Sequence, residues 1–456
     1  MSKDNIPVNE EPNERENQNK EAWAELERRE ARRRRRKRSQ FLAYTVVIVL
    51  IALLAAGIVA SVKLLTARTQ EMKQEEQEQQ SKVDEIFATE PSISEPEPTQ
   101  TVVEPTPEER LDEIVDAAIG EMSLEDRVAG LFIVTPEAIT GVGTAVQAGE
   151  GTKKALESYS VGGLVYFKQN IRSEEQIKTM ISNSQQYASY PLFIAVDEEG
   201  GKVARLAEAG LGTKVDTAKE IGETGDANNA YMAAQTIGKY LSDYGFNLNF
   251  APVADLSNVD KSIMEDRSYG SDAATVSSFV NSAIWGFREQ GVSVCLKHFP
   301  GIGSTEKDTH DGIAVSERTK EQFEAEEFKV FQAGIDAGAD MIMAGHMAAP
   351  SLTGDNTPCS LSKQVITDIL REDMKFDGVI ITDSMSMKAI TEYYAADEAA
   401  IQAFRAGCDM ILMPEDFEKA YNGVLQAVKE GTISEERIND SLRRIYRIKY
   451  ADKIEG

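Results

Sequence analysis

Four short apolar runs of the chain end in side chains that can move a proton or attack carbon. LFIAVD (192–197) ends in Asp197, VSVCLKHF (292–299) carries Lys297 and His298 near its end, DMIMAGH (340–346) ends in His346, and GVIITD (378–383) ends in Asp383. An ionised carboxylate can attack an electrophilic carbon, provided that a partner protonates the leaving oxygen. A candidate partner follows the second of these runs. The glycine-rich stretch PGIGSTEKDTH (300–310) closes on Asp308-Thr309-His310. Side chains at i and i+2 meet if the loop curls, and a carboxylate beside an imidazole orients the ring and raises its basicity, which makes a proton shuttle. One strand-end aspartate is commonly no more than a helix cap. Titratable residues at four run ends are hard to explain as packing and point to a polar pocket.

The elements that must position these groups are legible as eight apolar runs. The other four are GLFIVT (130–135), GGLVYF (162–167), NLNFAPV (247–253) and CDMILMP (408–414), and amphipathic stretches such as 174–187 and 362–374 lie between them. Continuous apolar runs suit strands buried on both faces of a parallel sheet. Eight such units over about 340 residues predict an α/β, TIM-like (β/α)8 barrel as a single catalytic domain. In that fold reactive groups gather at the C-terminal ends of the strands. An open doubly wound sheet is the alternative, but no Gly-x-Gly-x-x-Gly or Walker-type loop supports it.

The 456 residues are too many for one average domain and few for three, and with 41% hydrophobic residues a large core is possible. A net charge of −27 argues against a nucleic-acid partner, which needs a basic face. Positive charge is concentrated instead in the run Arg32 to Arg38, beside an uncharged apolar stretch from Phe41 to Val62 that is long enough to cross a bilayer. The basic run places the N-terminal side in the cytoplasm. A cleaved signal peptide competes with this reading, but the leading segment is long and the apolar run exceeds a usual signal core. The expected organisation is a cytoplasmic basic tail (1–40), a single-pass transmembrane signal anchor (41–65), a disordered Glu/Gln/Pro-rich stalk (66–107) and an extracellular barrel (108–456) on the cell membrane.

With these residues in view, KHFPG (297–301) followed by the Asp-x-His loop resembles the bacterial β-N-acetylglucosaminidases (β-N-acetylhexosaminidases) of glycoside hydrolase family 3. VDEEGGKVARL (196–206), NFAPVADL (249–256), EDRSYG (265–270) and GVIITDSMSM (378–387) resemble further motifs of the family, in its order, over about residues 110–450. The resemblance implies a retaining hydrolysis of terminal β-linked N-acetylglucosamine, and the outward topology points to peptidoglycan fragments as its source. It assigns Asp383 as nucleophile, His310 as acid/base held by Asp308, and Asp197, Arg205, Arg267, Lys297 and His298 as sugar-binding residues. The family commonly reads KHFPGHG, and Ile302 stands where its second histidine would be. Related β-glucosidases of the family take their acid/base glutamate from a second domain. Here the eighth run ends near Pro414 and one or two helices are expected to finish the chain, which favours the loop histidine and the N-acetylglucosaminidase.

Two other classes remain open on sequence: a phosphorylase, because a histidine tolerates an anionic acceptor better than a glutamate does, and a glycan-binding surface protein without activity. No cofactor and no metal is expected, since the three histidines lack metal-motif spacing. Cys295, Cys359 and Cys408 read as buried thiols. His346 reads equally as pocket lining or as a satisfied core histidine, Asp255 as a cap for the following segment in preference to a contact with the sugar, and the cluster Glu321 to Glu327 as a solvated helix face. Met341, Met343, Met385 and Met387 read as packing, with those near Asp383 within reach of a substrate.

Overall fold

Every one of the eight apolar runs becomes a strand in the computed structural model, which describes residues 105–259, 262–305 and 312–451. The strands are β1 (Phe132–Val134), β2 (Gly163–Val165), β3 (Phe193–Val196), β4 (Leu248–Asn249), β5 (Ser293–Phe299), β6 (Met341–Ala344), β7 (Val379–Ser384) and β8 (Met410–Leu412). They pair in chain order and in parallel, and Phe132↔Ile411 and Ile133↔Leu412 join β8 back to β1. The sheet is therefore a closed TIM-like barrel, and the open-sheet alternative falls. Every residue of β1, β2, β3, β6 and β8 is buried, as two-sided cover by helices requires. In β7 the first four residues are buried and the last two, Asp383 and Ser384, are only partly so, because the strand ends at a cavity.

The helices lie on this barrel by the apolar faces that their spacing foretells. In Glu174–Tyr187, Ser173 caps the N-terminus by accepting from the Gln176 amide, and Ile177, Met180, Ile181 and Ser184 form the buried stripe. Burying each of the three apolar members contributes roughly 1.5–3 kcal/mol. The 362–374 stretch winds wider than an α-helix: Gln364–Asp373 is a π-helix that still buries Val365, Ile366, Ile369 and Leu370. After β8, helices Phe417–Lys429 and Glu435–Lys449 complete the barrel, the second packed against Pro107–Gly120. That helix begins at Pro107, the last position assigned to the stalk by composition. Thr106 caps it in a reciprocal pair with Glu109, and a proline at the first helical position gives up only an amide with no partner there anyway.

The tail, the apolar segment 41–65 and most of the stalk lie outside the described residues. Among the described residues no helix is long and apolar enough to cross a membrane. Cys295, Cys359 and Cys408 are buried free thiols. Burial pushes the Cys359 and Cys408 thiols up to about 12, so they are inert packing groups. One surface expectation fails. Glu327 is only 1% exposed, because the helical run breaks at Glu326 and Glu327–Asp336 starts a separate helix turned toward the barrel. Its carboxylate accepts from Asn258 Nδ2 at 2.9 Å and lies 3.2 Å from Arg318 Nη2.

Candidate active site

A cavity of about 510 Å³ opens at the C-terminal ends of the strands. Asp197, Arg205, Arg267, Lys297, His298 and Asp383 all line it, so the structure brings six of the eight sequence-selected residues to one place. Asp308 and His310 lie outside the described residues. Apolar walls come from Phe167, Phe250, Met343, Met387 and Met413 among others. Met343 and Met387 thus reach the cavity, whereas Met341 and Met385 are core.

The cations of the cavity are fixed by carboxylates. Lys297, 2% exposed at the end of β5, is 2.6 Å from Asp197 Oδ1 and 2.7 Å from Glu199 Oε1. Burial alone would lower its pKa, but the two carboxylates outweigh burial and raise it, so the ammonium stays charged. Glu199 also receives Arg267 in a two-pronged bond, Nε at 2.9 Å and Nη2 at 2.7 Å. Against the upward push of burial, Lys297 and Arg267 bring the Glu199 carboxyl down to about 2. The local backbone explains the arrangement. Residues 198–200 pair with 203–204 as a small antiparallel hairpin, so alternate side chains point to opposite faces. Asp197 and Glu199 reach Lys297, while Glu198 turns the other way and accepts from the Leu206 and Ala207 amides and the Tyr240 hydroxyl. Arg205 starts the short helix after the hairpin, with its guanidinium carbon 5.9 Å from the centre of the Phe167 ring.

Asp383 sits at the end of β7 and accepts from the Ser384 amide at 2.7 Å. Burial would raise its pKa. The His298 ring, the Ser384 amide and Lys297 together prevail and hold the carboxyl below the usual range. An aspartate kept ionised at the wall of a cavity is chemically a nucleophile or an electrostatic partner for a developing cation. Behind it, His346 is a satisfied core histidine. Nε2 lies 3.0 Å from the Ser384 carbonyl oxygen, which can only accept, so Nε2 carries the proton and Nδ1 accepts from Ser360 Oγ at 2.8 Å. Burial lowers its pKa and keeps the ring neutral.

His298 owes its orientation to Asp255, which sequence reasoning read as a cap. Asp255 is fully buried. Its Oδ2 accepts from the His298 amide at 3.0 Å and from Nδ1 at 2.7 Å, and its Oδ1 accepts from the Ile302 amide at 2.7 Å. With Nδ1 donating inward, Nε2 is the ring nitrogen left for the cavity. The glycines after His298 let this loop close. A Cβ at Gly303 would lie 1.8 Å from the Leu256 carbonyl oxygen, and Gly301 holds φ +124° with Glu327 Cγ 2.5 Å from where a Cβ would be.

Sequence reasoning missed Glu199 and Asp255. The signal for Glu199 was present, as an acidic residue two positions beyond Asp197 shares its face in extended chain. Nothing in the spacing of NFAPVADL sets Asp255 apart from a cap. Among the described residues no three His, Cys, Asp or Glu side chains are grouped to hold a metal ion.

A parallel barrel with an ionised aspartate and carboxylate-fixed cations at its strand ends defines a polar-ligand site of the enzyme type. Residues 121–448 match the family described as "Glycosyl hydrolase family 3 N terminal domain", and the chain belongs to glycosyl hydrolase family 3. It is 30% identical over 324 residues to a protein of Pseudoalteromonas piscicida named beta-hexosaminidase A, covering 64% of this chain and 54% of that relative. It is 33% identical over 270 residues to a beta-hexosaminidase of Hydrogenovibrio crunogenus, covering 58% of this chain and 74% of the other. Among solved structures it is similar to a glycoside hydrolase family 3 beta-N-acetylglucosaminidase from Paenibacillus sp. str. FPU-7, with a TM-score of 0.69 and 34% identity over 74% of this chain and 64% of that one. The chain thus spans little more than half of the first relative's length and under two thirds of the Paenibacillus chain.

Proposed function

We propose that the protein is a retaining exo-β-N-acetylglucosaminidase that removes terminal, non-reducing β-linked N-acetylglucosamine through a covalent glycosyl–Asp383 intermediate. The observation that carries this reading is Asp383, held ionised at the wall of a cavity that also contains Asp197, Lys297, His298, Arg205 and Arg267. The names of the relatives favour a β-hexosaminidase within the family.

Asp383 attacks the anomeric carbon while the bond to the leaving oxygen breaks, and His310, held by Asp308, gives that oxygen its proton. The same imidazole then takes a proton from water, which cleaves the glycosyl ester, and two inversions leave the configuration retained. The roles of Asp308 and His310 rest on the sequence motif. Lys297, Arg205 and Arg267 can only donate and suit sugar hydroxyl and carbonyl oxygens, whereas Asp197 accepts from hydroxyl groups. The substrate class we propose is peptidoglycan fragments, reached by a domain held outside the cell membrane on the 41–65 anchor and its stalk. The charge pattern around that segment supports this placement.

The test is hydrolysis of a chromogenic β-N-acetylglucosaminide by the full-length protein, with trapping by a 2-fluoro sugar followed by peptide mapping. Label on Asp383, with both Asp383→Ala and His310→Ala inactive, is the expected result. Undiminished turnover by Asp383→Ala would discard the nucleophile assignment. Product analysis on purified wall fragments tests the substrate class.

A further inference from the structure

The opposite end of the barrel carries a second polar cavity that the proposed reaction does not use. It has a volume of about 400 Å³, lies below the N-terminal ends of β7 and β8, and is lined by Arg371, Arg405, Arg437 and Arg444. Three of these share one carboxylate. Asp409, fully buried just before β8, accepts through Oδ2 from Arg371 Nη2 at 2.6 Å and through Oδ1 from Arg444 at 3.2 Å and Arg437 at 3.4 Å. The same carboxylate also takes the Ile380 amide at 3.0 Å and Ser441 Oγ at 2.8 Å, so its lone pairs are filled.

The remaining acidic groups do not balance the cations. Asp440 lines the cavity but bonds a further arginine, Arg443, at 2.9 Å. Asp377 lies 3.7 Å from Arg444 Nε and is 92% exposed. The Arg444 Nε itself is buried and has no hydrogen-bond partner among the described residues. Arg405 is exposed on the rim, with no carboxylate bonded to it among the described residues. Burial, the leading cause, lowers the Arg371 pKa against the pull of Asp409 and Asp377, and the neighbouring Arg444 and Arg437 add to the lowering. Part of three guanidinium groups is spent on the fold: Arg371 also donates to the Phe376 and Gly378 carbonyl oxygens, Arg437 to the Cys408 carbonyl oxygen and Ser441 Oγ, and Arg444 to the Asp440 carbonyl oxygen, whereas these structural bonds give no reason for Arg405. The hydroxyl-bearing Thr432 and Ser434 line the same cavity.

We infer that this basal cavity is a binding site for a phosphoryl group. Guanidinium forks match the oxygens of a phosphate in pairs, and the volume leaves room for a small polyol attached to it. Two sources share this chemistry: free phosphate or its monoesters, and the phosphodiester headgroup of an anionic lipid.

Equilibrium dialysis of the full-length protein at low salt, with inorganic phosphate in one arm and glycerophosphoglycerol in the other, tests the site. We expect saturable binding of at least one probe, weakened about ten-fold by Arg405→Gln and further by Arg405→Gln combined with Arg437→Gln. Arg405→Gln removes no internal bond, so it keeps the test valid if the double variant folds poorly. Hydrolysis of the chromogenic glycoside by Arg405→Gln stays at the level of the unmodified protein. Phosphate bound in preference to the diester assigns a soluble ligand, and the reverse assigns a headgroup. Absence of binding by both probes at millimolar concentration, or binding that Arg405→Gln and the double variant leave unchanged, overturns the inference.

Discussion

The two ends of the barrel solve opposite electrostatic problems. At the C-terminal rim one lysine is shared by two carboxylates, and one of these also holds Arg267. At the base three arginines share one carboxylate. The rim therefore presents donors and acceptors with charges nearly cancelled, which suits a neutral ligand rich in hydroxyl groups. The base keeps more cations than carboxylates facing them, which suits an anion. Both arrangements stand on residues adjoining β3, β5, β7 and β8, so the difference comes from which strand end the acidic residues occupy and not from a different scaffold.

Substitutions can break this contrast in graded ways. Asp383→Ala removes the proposed nucleophile and should lower kcat for a β-N-acetylglucosaminide by at least about a thousand-fold, with the melting temperature little changed. Glu199→Gln leaves Lys297 with one counter-charge and Arg267 with none. It should lower kcat/KM about a hundred-fold and destabilise the fold by about 3–5 kcal/mol in urea unfolding. At the base Asp409→Asn should cost a similar amount of stability, about 3–5 kcal/mol, yet leave kcat and KM unchanged. A kinetic defect there would mean that the two ends are coupled.

Two smaller effects are read through pH. Burial, the leading cause, raises the Glu327 carboxyl to about 7 despite Asn258 and Arg318. Because the folded state favours the protonated form, its stabilising contribution is complete below the unfolded value near 4.5 and fades as pH rises to about 7. Glu327→Gln should therefore match the unmodified protein near pH 4.5 and exceed it by about 2–3 kcal/mol at pH 8. A constant difference between these pH values would show that Glu327 is charged throughout. The lowered Asp383 pKa predicts that kcat/KM keeps its ionised nucleophile throughout the range in which an ordinary aspartate is ionised, with the acidic limb below the usual carboxylate value. An acidic limb above pH 5 that persists in His310→Gln would contradict the assignment.

The barrel was legible because its signal is strong and local. Eight buried parallel strands have to be apolar on both faces, and each run announces itself without reference to any other. The strand-end rule then picked out Asp197, Lys297, His298 and Asp383, which line the cavity, together with His346, which lies behind it. What escaped was set by contacts between distant segments. Asp255 orients His298 from 43 positions away, and Glu327 turns inward because the helical run breaks at Glu326. The basal arginines were invisible for the same reason. Arg371, Arg405, Arg437 and Arg444 belong to three separate segments and read singly as solvated helix residues.

At the position where the family motif carries a second histidine, the chain contributes a main-chain N–H to Asp255. That bond belongs to the peptide and survives any side chain but proline. Isoleucine can therefore occupy position 302 without loosening the grip on His298, and what it alters is the cavity lining: a greasy patch in place of a polar one. The side chain at this position can thus vary while the anchoring of the imidazole stays fixed.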